Sequence, residues 1–174
     1  MTVQQQENIL IRDAVLSDVE CLVEFNAALA LETEGRSLDR SVLQAGVQAI
    51  FEQPSRGFYL IAEVHIEPSK PVVVGQLLIT FEWSDWRNAN FWWIQSVYVH
   101  QDWRQQGVFR ALYQYVYDQV HARHDICGVR LYVEQENAAA RSVYAKVGLE
   151  LTPYRMLERD FMSPPKLGDS QHVP

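Results

Sequence analysis

The spacing of apolar residues changes several times along the chain, and each change predicts an element. Ile9-Leu10-Ile11-Arg12 reads as a short first strand. Ser17-Asp18-Val19-Glu20 then has the S-x-x-E form of a capping box, in which Ser17 opens a helix. Val19, Leu22, Val23, Ala27 and Ala30 share one face of that helix, which should fade near Gly35. A second helix carries Val42, Leu43, Val47, Ile50 and Phe51 inward and stops at Pro54-Ser55-Arg56-Gly57. Phe58 to Val64 and Val72 to Phe81 are rich in β-branched and aromatic residues. The punctuation of Glu67-Pro68-Ser69-Lys70-Pro71 joins them as antiparallel strands.

From Trp92 the pattern is almost uninterruptedly apolar, as suits a strand covered on both faces. Arg104-Gln105-Gln106-Gly107 breaks it, and from Val108 the residues Ala111, Leu112, Tyr115, Val116 and Val120 return at helical spacing. A glycine between a strand and a helix is where backbone N–H groups can turn outward and hold an anion, which points to a phosphate-bearing ligand. Gly128 to Val133 predicts a further strand, and Ala138 to Val147 a short helix between Asn137 and Gly148. A last strand is expected near Tyr154 to Glu158. The pattern therefore predicts a single domain over residues 1–162. Residues 163–174 lack apolar periodicity and are expected to be a mobile tail or an arm on a partner subunit.

Composition narrows the class. At 174 residues, 48% of them hydrophobic, with eight Tyr, seven Phe and five Trp, the chain can bury a substantial core and needs no disulfide framework. Its two cysteines, Cys21 and Cys127, are far apart and lack ligand spacing, so no metal is expected. Free thiols and an N-terminus without a basic or apolar leader pattern predict a cytoplasmic protein. No run approaches the roughly 20 apolar residues of a membrane span. A net charge of −7 disfavours nucleic acid and favours a cationic partner.

Two motifs then carry a family resemblance. Arg104-Gln105-Gln106-Gly107-Val108-Phe109 matches the first four positions of an Arg/Gln-x-x-Gly-x-Gly/Ala loop. Asn137-Ala138-Ala139-Ala140-Arg141-Ser142-Val143-Tyr144 followed by Gly148 matches Asn-x-x-Ala-x-x-x-Tyr and its glycine. In this order and frame, the sequence resembles the GNAT family of N-acetyltransferases. The resemblance implies an α/β GNAT fold: a mixed, mostly antiparallel sheet splayed between strands 4 and 5 and flanked by about four helices. It implies acetyl-CoA as cosubstrate, with no metal. Its pyrophosphate falls to Arg104, Gln105, Gln106, Gly107, Val108, Phe109 and Arg110, and its pantetheine arm to Val97, Tyr98 and Val99, with a backbone N–H near Val97 for the thioester oxygen. Phe109 departs from the pattern, because a small residue is usual there.

The same resemblance places Tyr144 as the acid that protonates the departing thiolate, and Asn137 beside the carrier. Read from the residues alone, Tyr144 is equally a core tyrosine and Asn137 a helix cap. Gln95 stands where several relatives have a basic group, and an amide cannot serve. Glu82, next to Trp83, is the substitute, since a carboxylate near aromatic surface can have its pKa raised; a solvated strand-end glutamate is the alternative. Trp93 and the Glu32/Glu34 loop are candidates for holding a cationic acceptor. The expected function is acetyl transfer to a small-molecule amine, with a protein N-terminus or lysine as the next acceptor. A non-catalytic acyl-CoA-binding regulatory module and a homodimer complete the expectations.

Overall fold

The computed structural model describes residues 9–67 and 70–162. The expected tail, 163–174, and the expectation of no leader at residues 1–8 lie outside the described residues, as do Pro68 and Ser69. The elements run β1 (Ile9–Asp13), α1 (Val19–Glu34), α2 (Arg40–Glu52), β2 (Gly57–Glu67), β3 (Lys70–Ser84), β4 (Ala89–Val99), α3 (Val108–His121), β5 (Ile126–Leu131) and α4 (Ala138–Lys146). The strands form one sheet in chain order, antiparallel from β1 to β4 and parallel between β4 and β5.

Alternation along the strands gives each face of the sheet its own core. Leu60, Ala62, Val64, Leu77, Ile79, Trp92 and Ile94 face α3, whose Val108, Leu112, Tyr113 and Val116 complete the larger cluster. Tyr59 and Ile61 point the other way and pack with Val19, Leu22, Val23 and Val47 of α1 and α2. At Gly75 an added Cβ would meet Val108 Cγ1 at 3.0 Å and the Tyr98 carbonyl at 3.1 Å. The missing side chain there lets the first turn of α3 settle directly on the sheet, above the end of β4.

Several boundaries differ from the sequence expectation. Ser17 does not cap α1. A 3₁₀ turn over Leu16–Asp18 precedes the helix, and Asp18 turns back to accept from the Val15 N–H at 2.7 Å. Val42 lies on the outer flank of α2 and is 69% exposed, while Leu43, Val47, Ile50 and Phe51 face inward. The fifth strand begins two residues earlier than Gly128 and ends at Leu131. The strand expected over Tyr154–Glu158 is absent: residues 150–162 carry no helix or strand. That stretch has strand-forming side chains but pairs with no strand among the described residues.

Arg12 ties β1 to both neighbours. Its guanidinium donates to Asp18 at 2.8 and 3.0 Å and to Glu63 at 2.9 Å. Both carboxylates are buried, with side chains only 11% and 7% exposed. The hydrogen bond from Arg12 is the chief reason the Asp18 carboxyl sits below the usual carboxylate range; burial opposes it and the Val15 N–H assists. A depressed folded pKa gives stability that is present above the unfolded value and lost as pH falls through the folded one, so this contribution fades below about pH 4. Arg12→Ala strands two buried carboxylates and is expected to cost about 3 kcal/mol in urea unfolding at pH 7. The deficit should shrink as pH falls and the Asp18 carboxyl protonates; a loss under ~1 kcal/mol at pH 7 would contradict this assignment.

Candidate functional site

The site is built where β4 parts from β5. Their parallel pairing runs from Asn90↔Ile126 to Ile94↔Leu131 and goes no further, whereas β4 stays paired with β3 as far as Val99. The register between β3 and β4 shifts at the same point: Ile79 pairs with Ile94 and Leu78 with Ser96, leaving Gln95 as the extra residue of a β-bulge. A bulge bends its strand and sharpens its twist. Thus β4 turns away from β5 immediately after Ile94, and the edge of Gln95–Val99 facing β5 has no strand partner. This is the splay expected between the fourth and fifth strands. The backbone of Val97, Tyr98 and Val99 lies along it.

The chain then passes through a 3₁₀ turn over Gln101–Trp103 into the loop ahead of α3. Gln105 and Gly107 both adopt left-handed backbone, with φ of 63° and 87°. Alternating left-handed residues turn successive N–H groups to one side, forming an anion-binding nest. Among the described residues none of the N–H groups from Gln105 to Arg110 has a turn, loop or cap acceptor, and Ala111, donating to the Gly107 carbonyl at 2.9 Å, is the first to find one. The space beside Gly107 is open, since an added Cβ would meet nothing within 4 Å. These donors, with the positive end of α3 behind them, suit a phosphate-bearing carrier.

The side chain of Arg104 is engaged elsewhere. It donates to the Val99 carbonyl at 3.0 Å and to Glu32, and lies 5.5 Å from the centre of the Tyr98 ring. Glu32 also accepts from the Tyr98 hydroxyl at 2.8 Å. The Arg104 hydrogen bond, then that of Tyr98, holds the Glu32 carboxyl below its ordinary range. Glu32 thereby braces α1 against the end of β4. Glu34, at the end of the same helix, remains exposed.

Phe109 accounts for its own departure from the motif. Its ring lies 5.3 Å from that of Tyr144, edge to face, and 6.1 Å from that of Tyr113. The bulky residue is thus part of the contact that seats α4. Asn137 caps α4 by accepting from the Ala140 N–H at 2.9 Å. Gly148, with φ of 85°, follows the helix in the left-handed region. Tyr144 projects from the inner side of α4; burial alone pushes its phenol above its ordinary pKa, and its hydroxyl makes no hydrogen bond among the described residues.

On the opposite face of the splay, Gln95 Nε2 donates to Thr80 Oγ1 at 2.9 Å. Glu82 accepts from Trp93 Nε1 and from Arg130 at 2.7 Å. The expectation of a raised Glu82 pKa is corrected here. Burial does push the carboxyl up, but the hydrogen bonds from Trp93 and Arg130 and the charge of Arg130 outweigh it and leave Glu82 below the usual range. Trp93 lies against Tyr132 at 4.4 Å, and the Arg130 guanidinium covers Phe91 at 3.6 Å. Arg130 and Tyr132 carried no sequence signal, because their partners are set only by the pairing of β5 with β4.

The model of the acetyltransferase (GNAT) family matches residues 25–149, most of the chain and all of the splay, the loop and α4. The chain belongs to the GNAT acetyltransferase family. Among solved structures, this GNAT chain is similar to a possible acetyltransferase from Clostridium difficile 630, at 40% identity and a TM-score of 0.81, covering 90% of this chain and 100% of that one. It also shares its fold with an aminoglycoside N-acetyltransferase in complex with CoA, at 15% identity, a TM-score of 0.70 and coverage of 92% and 99%. A ribosomal-protein-alanine N-acetyltransferase from Brucella melitensis biovar Abortus 2308 aligns at 16% identity and a TM-score of 0.67, over 88% and 100%. No curated protein matches the chain.

Proposed function

We propose that this GNAT domain transfers an acetyl group from acetyl-CoA directly to a primary amine, and that the acceptor is a small cationic amine. Three features support the reading: the β4 edge from Gln95 to Val99 that β5 does not pair, the N–H groups of Gln105–Arg110 that find no turn, loop or cap acceptor among the described residues, and Tyr144, whose ring meets Phe109 at the start of α3 and whose hydroxyl makes no hydrogen bond among the described residues. Acetyl-CoA supplies the activated acyl group as a thioester. The nest at Gln105–Arg110 holds its pyrophosphate, and the edge of Val97–Val99 holds the pantetheine arm as an added strand would be held. The Val97 N–H faces the thioester oxygen, where negative charge gathers during attack. Tyr144 gives its proton to the leaving sulfur.

Neither Gln95 nor the ion-paired Glu82 is assigned as base; the amine loses its proton to water at the mouth of the cleft. Support for a small cationic acceptor comes from the net charge of −7, the exposed Glu34 and the aromatic wall of Trp93 and Tyr132. The fold is shared by an enzyme named for aminoglycosides and by one named for a ribosomal protein, so fold alone does not choose between small and protein acceptors.

The test is a panel of polyamines, aminoglycosides, lysine peptides and free peptide N-termini incubated with acetyl-CoA, read by release of free thiol. Thiol release is expected with the small polycations, with a rate that climbs with pH as the amine deprotonates. Because the Tyr144 phenol is raised, its proton remains available above pH 10, and the climb should not reverse below that value. Acetyl-CoA binding with no thiol release from any amine would instead favour a regulatory binding module.

A further inference from the structure

At the other end of the sheet from the splay, β1 stops at Asp13, opposite Leu60, whereas β2 begins at Gly57. The first residues of β2 therefore run on without an outer strand. The Ala14 N–H makes the last contact, donating to the Tyr59 carbonyl at 2.9 Å, and the chain then leaves into the 3₁₀ turn of Leu16–Asp18. Alternation sends Phe58 and Tyr59 to opposite faces of this uncovered edge. Phe58 meets Trp92 edge to face at 5.1 Å, while Tyr59 stacks on Phe51 of α2 at 6.4 Å. These four rings and Tyr115 of α3 wall a cavity of about 390 Å³. Its volume and its aromatic lining are those of a small-molecule site.

The rim of the cavity has one free charge. The carboxylate of Asp13 is exposed and has no hydrogen bond or ion pair among the described residues. Arg123 lines the cavity too, but its Nε and Nη2 donate to Asp125 at 3.0 and 2.7 Å, so its charge is answered within the chain. The same guanidinium lies 5.9 Å from the centre of the Trp92 ring, so one ring of this wall already takes a cation. Burial, and after it the charge of Asp13, hold the Tyr115 phenol above its ordinary pKa, which places the carboxylate within electrostatic reach of the wall. The net charge of −7 draws cations to the molecule as a whole.

We propose that this cavity binds an arylalkyl ammonium ion, its ring between Phe51, Phe58, Tyr59, Trp92 and Tyr115 and its ammonium on Asp13. A flat aromatic body suits walls built of edge-to-face and stacked pairs, and an ammonium suits the one unanswered charge at the rim. The site is separate from the acetyl-CoA cleft: Trp92 precedes Val97 by five residues on β4, about 17 Å at strand spacing. It does not depend on the acetyl-transfer reading.

Phenethylammonium chloride titrated into the isotope-labelled full chain, followed through the backbone amide resonances, tests it. Saturable shifts are expected at Ala14, at Phe58 and Tyr59, and along Tyr115–Gln119, with millimolar probe or less. Hydrocinnamate, which has a similar ring and reach but the opposite charge, should bind at least about tenfold more weakly. Asp13→Asn should weaken phenethylammonium binding about tenfold and leave hydrocinnamate binding no weaker. The folded spectrum of that variant should be kept, because the exposed Asp13 side chain holds no partner among the described residues. The proposal is overturned by no saturable shift at millimolar phenethylammonium, or by shifts confined to the splay between β4 and β5. Equal affinity for the two probes, or an Asp13→Asn affinity equal to that of the wild type, would overturn it as well.

Discussion

Tyr144→Phe is expected to lower kcat for amine acetylation by roughly 10²–10⁴-fold while leaving acetyl-CoA affinity and Tm close to wild type. The two halves of this expectation have separate causes. The hydroxyl makes no hydrogen bond among the described residues, so its removal leaves no partner stranded and costs the fold nothing of that kind. The ring, which meets Phe109 edge to face at 5.3 Å, is retained, and α4 keeps its seat. What is lost is the proton for the leaving sulfur. The effect should fall on kcat and kcat/KM together, as for a group that acts only in the transition state. Equal turnover by Tyr144→Phe would remove this residue from the mechanism.

Gly107→Val is expected to weaken acetyl-CoA binding about 10²-fold. No neighbour lies within 4 Å of the added Cβ, so the cause is not a collision. It is conformational: φ of 87° is a region that a β-branched residue avoids, at a cost of roughly 1–2 kcal/mol. The loop can relieve that strain by swinging Gly107 back towards φ below zero. The N–H groups of the nest would then no longer converge. Loss of two charge-assisted hydrogen bonds, each worth about 1.5–3 kcal/mol, accounts for the tenfold steps in affinity. Stability should change far less than binding, because the loop is exposed and outside both cores.

How much of this was legible in the sequence depended on whether the deciding contact was local. Helix spacing in α1 and α3, the end of α1 near Gly35, the glycine turn ahead of α3, the left-handed Gly148 after α4 and the Asn137 cap each depend on a few adjacent residues, and the structure has them where the pattern puts them. The splay was anticipated through the family resemblance, but its local cause, the bulge at Gln95, is a register shift that one strand cannot reveal. Glu82 was misjudged because its pKa is decided by Arg130, on a strand that reaches it only after the crossover through α3. The ion pair of Glu32 was hidden likewise, since Arg104 lies far along the chain and meets it only when α1 crosses the end of β4. Phe109 looked like a defect in the loop motif until its contact with Tyr144 gave it a role in seating α4. The strand pattern of Tyr154–Glu158 was real in its residues, yet strand formation requires a paired edge, and this stretch pairs with none among the described residues.

The central claim is that one cleft, between the end of β4 and the start of α3, holds acetyl-CoA and completes its chemistry with Tyr144. Titration calorimetry of acetyl-CoA into the wild type, Gly107→Val and Tyr144→Phe tests it most directly. The expected result is saturable binding of one molecule per chain to the wild type, matched by Tyr144→Phe and weakened about 10²-fold by Gly107→Val. No binding to the wild type at millimolar acetyl-CoA, or equal binding by all three proteins, would contradict it.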